Sequence, residues 1–371
     1  MDDRKGKIEK MGILELNETP VRTSKNFNIN NIKLKDIIIP EDIEEFNGLE
    51  IINKTENVKI FENEANSNLI YGVGKILTSQ NPEKSNKNIK LIIDNKNVET
   101  KGKKNEHIQL NFYLDNRNLN LFENLEIIAN KDANANLVIK YKSNDNNLGF
   151  HNGIIKVLAK ENSNIKITII NLLNTNSNNF ISIQNDLERN SNINYTIIDF
   201  GGSVSITNYY SNIIGENANN ELNTIYLGKE SQIFDLNYIA ELKGEKTNIN
   251  IDVQGALKDN AKKHFKGTID FKKGAKKATG NENEYCMLLS DTAKSIALPM
   301  LLCSEEDVLG NHSSAAGKVG KKELFYIMSR GFTLKQALKL MVRARFNKVL
   351  DKIEDEKIKE EILQEIEDKL D

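Results

Sequence analysis

From about residue 60 to residue 310 the apolar positions form short runs that alternate with polar residues or continue for three or four positions. That period-2 pattern is the signature of β-strands buried on one or both faces. Five runs open at Leu137, Ile165, Ile193, Leu222 and Ile249, spaced by 28, 28, 29 and 27 residues. Near their midpoints lies a second series: Ile154-Ile155, Ile181-Ser182-Ile183, Val204-Ser205-Ile206, Ile233-Phe234 and Phe265-Lys266-Gly267-Thr268-Ile269. The polar turns ahead of the first series also repeat, as in Lys131-Asp132-Ala133-Asn134, Lys160-Glu161-Asn162-Ser163-Asn164 and Glu188-Arg189-Asn190-Ser191-Asn192. Two short strands per fixed period predict a mainly β fold, a β-solenoid in which every rung pairs with the rungs above and below and turns Ile, Leu and Val inward. A β-sandwich with evenly spaced strands is the competing architecture, and the constant period favours the solenoid. Such a stack ends in unpaired strand edges, which invite a partner.

The pattern divides the chain in three. Residues 1–60 are polar with brief apolar runs such as Ile37-Ile38-Ile39 before Pro40, and read as an irregular or partly helical extension. Residues 61–320 form the β core. Residues 321–371 are helical: Leu324, Phe325, Ile327 and Met328 recur at helical spacing and Gly331 is a stop signal. Thr333 and Gln336 have the spacing of a capping box ahead of Leu334, Ala337, Leu338, Leu340, Met341 and Ala344. Ile358, Ile362, Leu363, Ile366 and Leu370 then make a third apolar stripe. These helices are expected to cover one end of the solenoid or to dock a partner.

Composition narrows the function. In 371 residues, Lys and Arg number 51 against 53 Asp and Glu, so no basic field recruits nucleic acid or an anionic membrane. Trp is absent and aromatics make up 6%, which disfavours stacking platforms for sugars or bases. The charged N-terminus is not followed by a secretory apolar run, and no stretch of about 18 apolar residues occurs, so a cytoplasmic protein is expected. The two cysteines, Cys286 and Cys303, lack the paired spacing of a closed zinc or iron-sulfur site, so any cluster needs ligands from another chain. No GxxxxGK[ST] loop is present, so ATP hydrolysis is not expected here. The asparagines of the turns tolerate left-handed backbone and bond their own chain locally.

Residues 285–331 carry a specific resemblance. Leu288-Leu289-Ser290-Asp291 leading to Pro299, then Glu306-Asp307-Val308, Asn311-His312, Gly317-Lys318-Val319-Gly320 and Leu324-Phe325-Tyr326 ending in Ser329-Arg330-Gly331 follow the order and spacing of the SufB/SufD family signature. Phe265-Lys266-Gly267-Thr268-Ile269 resembles a rung of that family, and Pro20-Val21-Arg22 with Phe27 resembles, loosely, a short N-terminal motif of SufD proteins. The resemblance implies a right-handed parallel β-helix flanked by helical N- and C-terminal segments. It also implies a non-catalytic scaffold subunit for iron-sulfur cluster assembly, pairing with a SufB-like subunit and docking a SufC-like ATPase.

The same resemblance assigns candidate residues. His312 aligns with the interface histidine of SufB and SufD, and a neutral imidazole suits iron. The cysteine that SufB uses to accept sulfur falls on Ala293 and the SufB glutamate after its histidine falls on Ser313, which points to a SufD-like member. Cys303 is a second, weaker candidate ligand, with a small core residue as the plainer reading. Any cluster is expected to be transient and shared with the partner chain. ATPase docking is expected around Leu324, Phe325, Arg330, Leu334, Leu338 and Met341. A SufB-like homodimer that holds the nascent cluster itself is the nearest alternative, and a β-solenoid carbohydrate-active enzyme a distant one.

Overall fold

The computed structural model describes residues 13–21, 29–41, 43–53, 55–65, 68–95, 107–144 and 147–371. Arg22 and Phe27 of the N-terminal motif lie outside these residues. The core is a mainly β solenoid made of two nine-stranded sheets, each built from every second strand of the chain. From Lys87 to Lys318 all neighbouring strands within a sheet are parallel. This excludes the sandwich, whose sheets are antiparallel.

Each rung turns a corner at one left-handed residue: Asp132 (φ 60), Asn162 (φ 58), Asn190 (φ 55), Asn217 (φ 59) and Lys246 (φ 55). Asparagine is favoured there because its short amide tolerates this backbone. The stacked amides also pair, with Asn162 Nδ2 donating to Asp132 at 2.8 Å, Asn190 to Asn162 at 3.0 Å and Asn217 to Asn190 at 3.2 Å. The asparagine-rich turns are therefore a ladder along one edge of the solenoid.

Register follows the corners. In the first sheet Asn134 pairs with Asn164, Asn164 with Asn192, Asn192 with Asn219 and Asn219 with Asn248. The steps differ by up to two residues from those counted between apolar runs. Inward positions recur every second residue, so a run can open one inward position late without changing the face it buries.

The two ends of the stack differ. At the beginning, strands Leu49–Asn53 and Val58–Glu62 pair antiparallel with the first rung and finish both sheets. At the other end, Lys294–Cys303 and Val308–Lys318 are the last strands of their sheets, and no further strand follows among the described residues. That end is open.

Both outer faces are covered. The extension expected as partly helical is, where described, made of short strands: β1 (Ile13–Leu16) and β2 (Ile32–Lys35) pair antiparallel. Together with helix α1 (Lys75–Lys84), which falls within the core range, they lie on the second sheet. Leu14, Leu16, Ile32 and Leu34 meet Phe122, Phe150 and Phe180 there. Asn17 pins this layer, donating to Asp235 Oδ1 at 2.7 Å, and Lys266 pairs with the same carboxylate at 2.6 Å.

The C-terminal helices are α2 (Lys321–Ser329), α3 (Leu334–Leu350) and α4 (Glu356–Leu370). Gly331 (φ 95) ends α2, and the Thr333/Gln336 capping box opens α3, both as read from the sequence. Of the two expected placements, covering an end is not the one observed: α3 and α4 lie along the side of the stack. Val342, Phe346, Val349, Ile358, Ile362, Ile366 and Leu370 pack on outward Ile170, Ile198, Phe200, Ile225 and Leu227 of the first sheet. That side wall was invisible as a docking face because its strands read as continuous apolar runs, buried on both sides. Among the described residues no helix is long and apolar enough to cross a membrane.

Candidate functional site at the open end

The lumen of the solenoid is filled by columns of inward side chains, one from each rung. One column of the first sheet reads Ile108, Leu137, Ile167, Tyr195, Leu222, Ile251, Glu282, His312. The next reads Leu110, Ile139, Ile169, Ile197, Thr224, Val253, Glu284, Ser314. Both are mainly apolar until the last two rungs, where they become ionisable or polar. Facing them, a column of the second sheet runs through Ile155, Ile183, Tyr209 and Tyr238 and then changes to Gly267 and Pro299.

Glu284 is satisfied. Lys263 Nζ lies 2.6 Å from Glu284 Oε1 with both side chains fully buried, Ser314 Oγ donates to Glu284 Oε2 at 2.7 Å, and Tyr226 OH donates to Oε1 at 3.3 Å. The Lys263 ammonium also sits 5.9 and 5.7 Å from the ring centres of Tyr226 and Phe265. A buried pair of this kind is stable only because each charge keeps its partner.

Glu282 is different. It is 2% exposed, and neither carboxyl oxygen has a hydrogen-bond partner among the described residues. Burial, and then the neighbouring Glu284, push its carboxyl up to about 8. Its head group lies against Gly267, where any Cβ would fall on the carboxyl oxygens. The glycine thus makes the slot that the carboxyl fills, in the column where earlier rungs place tyrosine.

The sequence-predicted residues sort as follows. His312 is exposed and pairs in register with Glu282 on the last strand of the first sheet. Cys303 closes the last strand of the second sheet, in register with Phe271. It is exposed, not a core residue, and its thiol donates to Glu305 O at 2.9 Å. Among the described residues no further rung follows to cover it. The two candidates therefore stand on the last strand of each sheet at the same end. Cys286 is buried as expected, and burial raises its thiol. Ala293 is buried, and Ser313 points away from the lumen and donates to Asn283 at 2.6 Å.

On the helices, Phe325 is 75% exposed and Leu334 50%, with Tyr326, Met328, Phe332 and Leu340 also exposed. Arg330 stacks on Tyr326, its guanidinium 5.2 Å from the ring centre. Leu324 and Leu338 are half-buried, and Met341 packs partly against the apolar layer between α3–α4 and the first sheet. Of the expected docking residues, Phe325, Arg330 and Leu334 present themselves most fully to solvent.

Sequence reading missed Glu282, Glu284 and Lys263. The signal was available in the register, because Glu282 and Glu284 pair with Ile251 and Val253 at inward positions. Polar residues at positions whose rung-mates are Ile and Val mark a lumen that changes character.

The chain is thus a parallel β-solenoid with one finished end, one open end bearing ionisable lumenal residues, and a helical tail exposing apolar side chains. Residues 112–345 match the family model described as SUF system FeS cluster assembly, SufBD core domain, and the chain belongs to this family. Among curated relatives, the iron-sulfur cluster assembly protein SufD of Bacillus subtilis (strain 168) is 24% identical over 252 residues, 67% of this chain and 58% of the relative. A SufBD family protein of Staphylococcus epidermidis (strain ATCC 12228 / FDA PCI 1200) is 22% identical over 240 residues, 63% of this chain and 51% of the relative. One of Mycobacterium leprae (strain TN) is 22% identical over 241 residues, 64% of this chain and 27% of the relative. The chain thus spans 58% or less of the length of these relatives.

Proposed function

We propose that this chain is a SufD-like scaffold subunit of an iron-sulfur cluster assembly complex in the cytoplasm, itself non-catalytic. It pairs through its open end with a SufB-like subunit and holds a SufC-like ATPase on α2 and the start of α3. A nascent cluster is carried transiently at the paired end, with His312 as the ligand from this side and Cys303, at the close of the other terminal strand, as the weaker candidate. The observation that carries this reading is the open end: both last strands present unpaired edges, and both candidate ligands stand on them. Ala293 offers a methyl group where a sulfur acceptor needs a thiol, so sulfur enters through the partner. Nucleotide binding to the ATPase shifts the paired end only by its difference in affinity for the two arrangements.

Co-expression with cognate SufB-type and SufC-type proteins tests the assignment. One complex containing all three chains is the expected product. A chain that stays apart from both partners, or that pairs only with itself and retains iron and sulfide, replaces this reading with the homodimeric one.

A further inference from the structure

We infer that Lys369, in the last turn of α4, is a nucleophilic amine that takes up an acyl group from a small acyl phosphate, in a cavity where α4 meets one corner of the solenoid.

The helix offers Lys369 an ordinary partner that its side chain does not take. Glu365 stands one turn earlier, in the i, i+4 order that favours a glutamate-lysine pair. Glu365 instead faces Lys142 at 3.8 Å, while Lys369 Nζ turns toward the solenoid and donates to Gln232 Oε1 at 2.9 Å. Gln232 is 2% exposed and fixed by two further bonds: its Oε1 accepts from Lys229 N at 3.1 Å, and its Nε2 donates to Gly202 O at 2.6 Å. The amine is therefore held by a neutral amide. Among the described residues no carboxylate lies within ion-pair distance of it.

These surroundings favour the uncharged amine. Burial, and then the neighbouring Lys229, push Lys369 down to about 8, against smaller opposing pulls from Asp199, Glu365 and Glu230. At pH 7 roughly a tenth of chains carry the free base there, against less than about a thousandth at an ordinary lysine. A desolvated amine beside a second cation is the arrangement that makes lysine a nucleophile.

The cavity supplies room and charge. Its volume is about 360 Å³, and Lys142, Lys229, Glu365 and Asp368 line it together with Lys369. Lys142 and Lys229 attract a phosphate group, whereas Glu365 and Asp368 oppose an anion that merely rests there. The balance suits a phosphate that arrives with its acyl group and departs without it. The Lys369 lone pair attacks the acyl carbonyl carbon and the N–C bond forms. The C–O bond to phosphorus breaks on the carbon side, and phosphate leaves with that electron pair and takes the proton shed by the amine. The product is a neutral amide, which removes the cost of a desolvated ammonium and its repulsion from Lys229.

The full chain, native and urea-unfolded, is treated with acetyl phosphate, and initial rates at each lysine are read by peptide mass spectrometry. Lys369 is expected to react at least about tenfold faster in the native chain than in the unfolded one, with a rate that levels off above about pH 8–9. Lys229→Met should cut that rate at least about threefold. N,S-diacetylcysteamine, a thioester with no phosphate for Lys142 and Lys229 to attract, should show a smaller acceleration of native over unfolded chain. Far-UV circular dichroism checks that Lys229→Met is folded, and the wild-type comparisons stand without it. A Lys369 that reacts no faster in the native chain than in the unfolded one, an equal acceleration with both donors, or an unchanged rate in folded Lys229→Met overturns the inference.

Discussion

The lumenal columns that run through Leu137 and Ile139 follow one rule in the middle of the stack and another in their last two rungs, although the same backbone carries both. Between Leu137 and Ile251 the first-sheet column buries Ile, Leu and Tyr, and each rung seals the one below. One rung later this column and its neighbour place Glu282 and Glu284 in the positions of Ile251 and Val253, balanced by Lys263, Gly267 and Ser314. Apolar columns need only volume to match, so neighbouring rungs are interchangeable. The terminal rung instead depends on particular partners, as expected where a structure gives up stability for a task.

That difference can be broken in order of expected effect. Lys263→Met leaves Glu284 buried without its counter-charge and should cost about 3–5 kcal/mol by chemical denaturation. Adding Glu284→Leu to the same chain should recover most of that loss, and a double variant as unstable as the single one would show the ion pair to be incidental. Gly267→Ala places a methyl group on the Glu282 carboxyl and should cost about 1–3 kcal/mol. Glu282→Ala should relieve it in a double-mutant cycle, whereas simple additivity would mean the two do not share the slot.

A further contrast lies deeper, at Asp199, a buried carboxyl of the middle lumen. It is held by Ser205 Oγ at 2.8 Å and Asn171 Nδ2 at 2.8 Å, yet burial still raises it to about 6 from 3.8. A carboxyl raised in the folded state favours folding below its unfolded value, and that contribution is lost as pH climbs through the folded value. Asp199→Asn should therefore match the wild type near pH 3.5 and gain on it between pH 4 and 7, by about 2–3 kcal/mol at most. A stability difference that is flat with pH would refute the assignment. At the small end, Phe325→Ala should change stability by under about 0.5 kcal/mol, since the ring is solvent-exposed. It should nonetheless reduce capture of the ATPase in a pull-down, and equal capture would move the docking face elsewhere.

Much of this was legible in the sequence for identifiable reasons. The solenoid showed because alternation, period and asparagine corners all report the same rung. Helix α3 showed because its capping box and apolar stripe agree, and α4 by its stripe alone; both features hold in the structure. The N-terminal strands β1 and β2 did not show, being four residues each and stabilised by packing on another sheet. Their anchor, Asn17, reaches Asp235 across 218 residues of chain. Cys303 was misread as a core residue because the sequence does not announce that its strand is the last. Glu282 stayed hidden because an inward position is recognisable only once the register is known.

The central claim is that the open end is where this chain meets its partner. Hydrogen exchange of the full chain, alone and after assembly with a SufB-type and a SufC-type protein, measures it directly. Amides of Lys294–Cys303 and Val308–Lys318 should slow markedly on assembly, while those of Asn164–Leu172 in the middle of the stack stay as they were. Terminal strands that exchange equally fast in the free chain and in the complex would contradict the account.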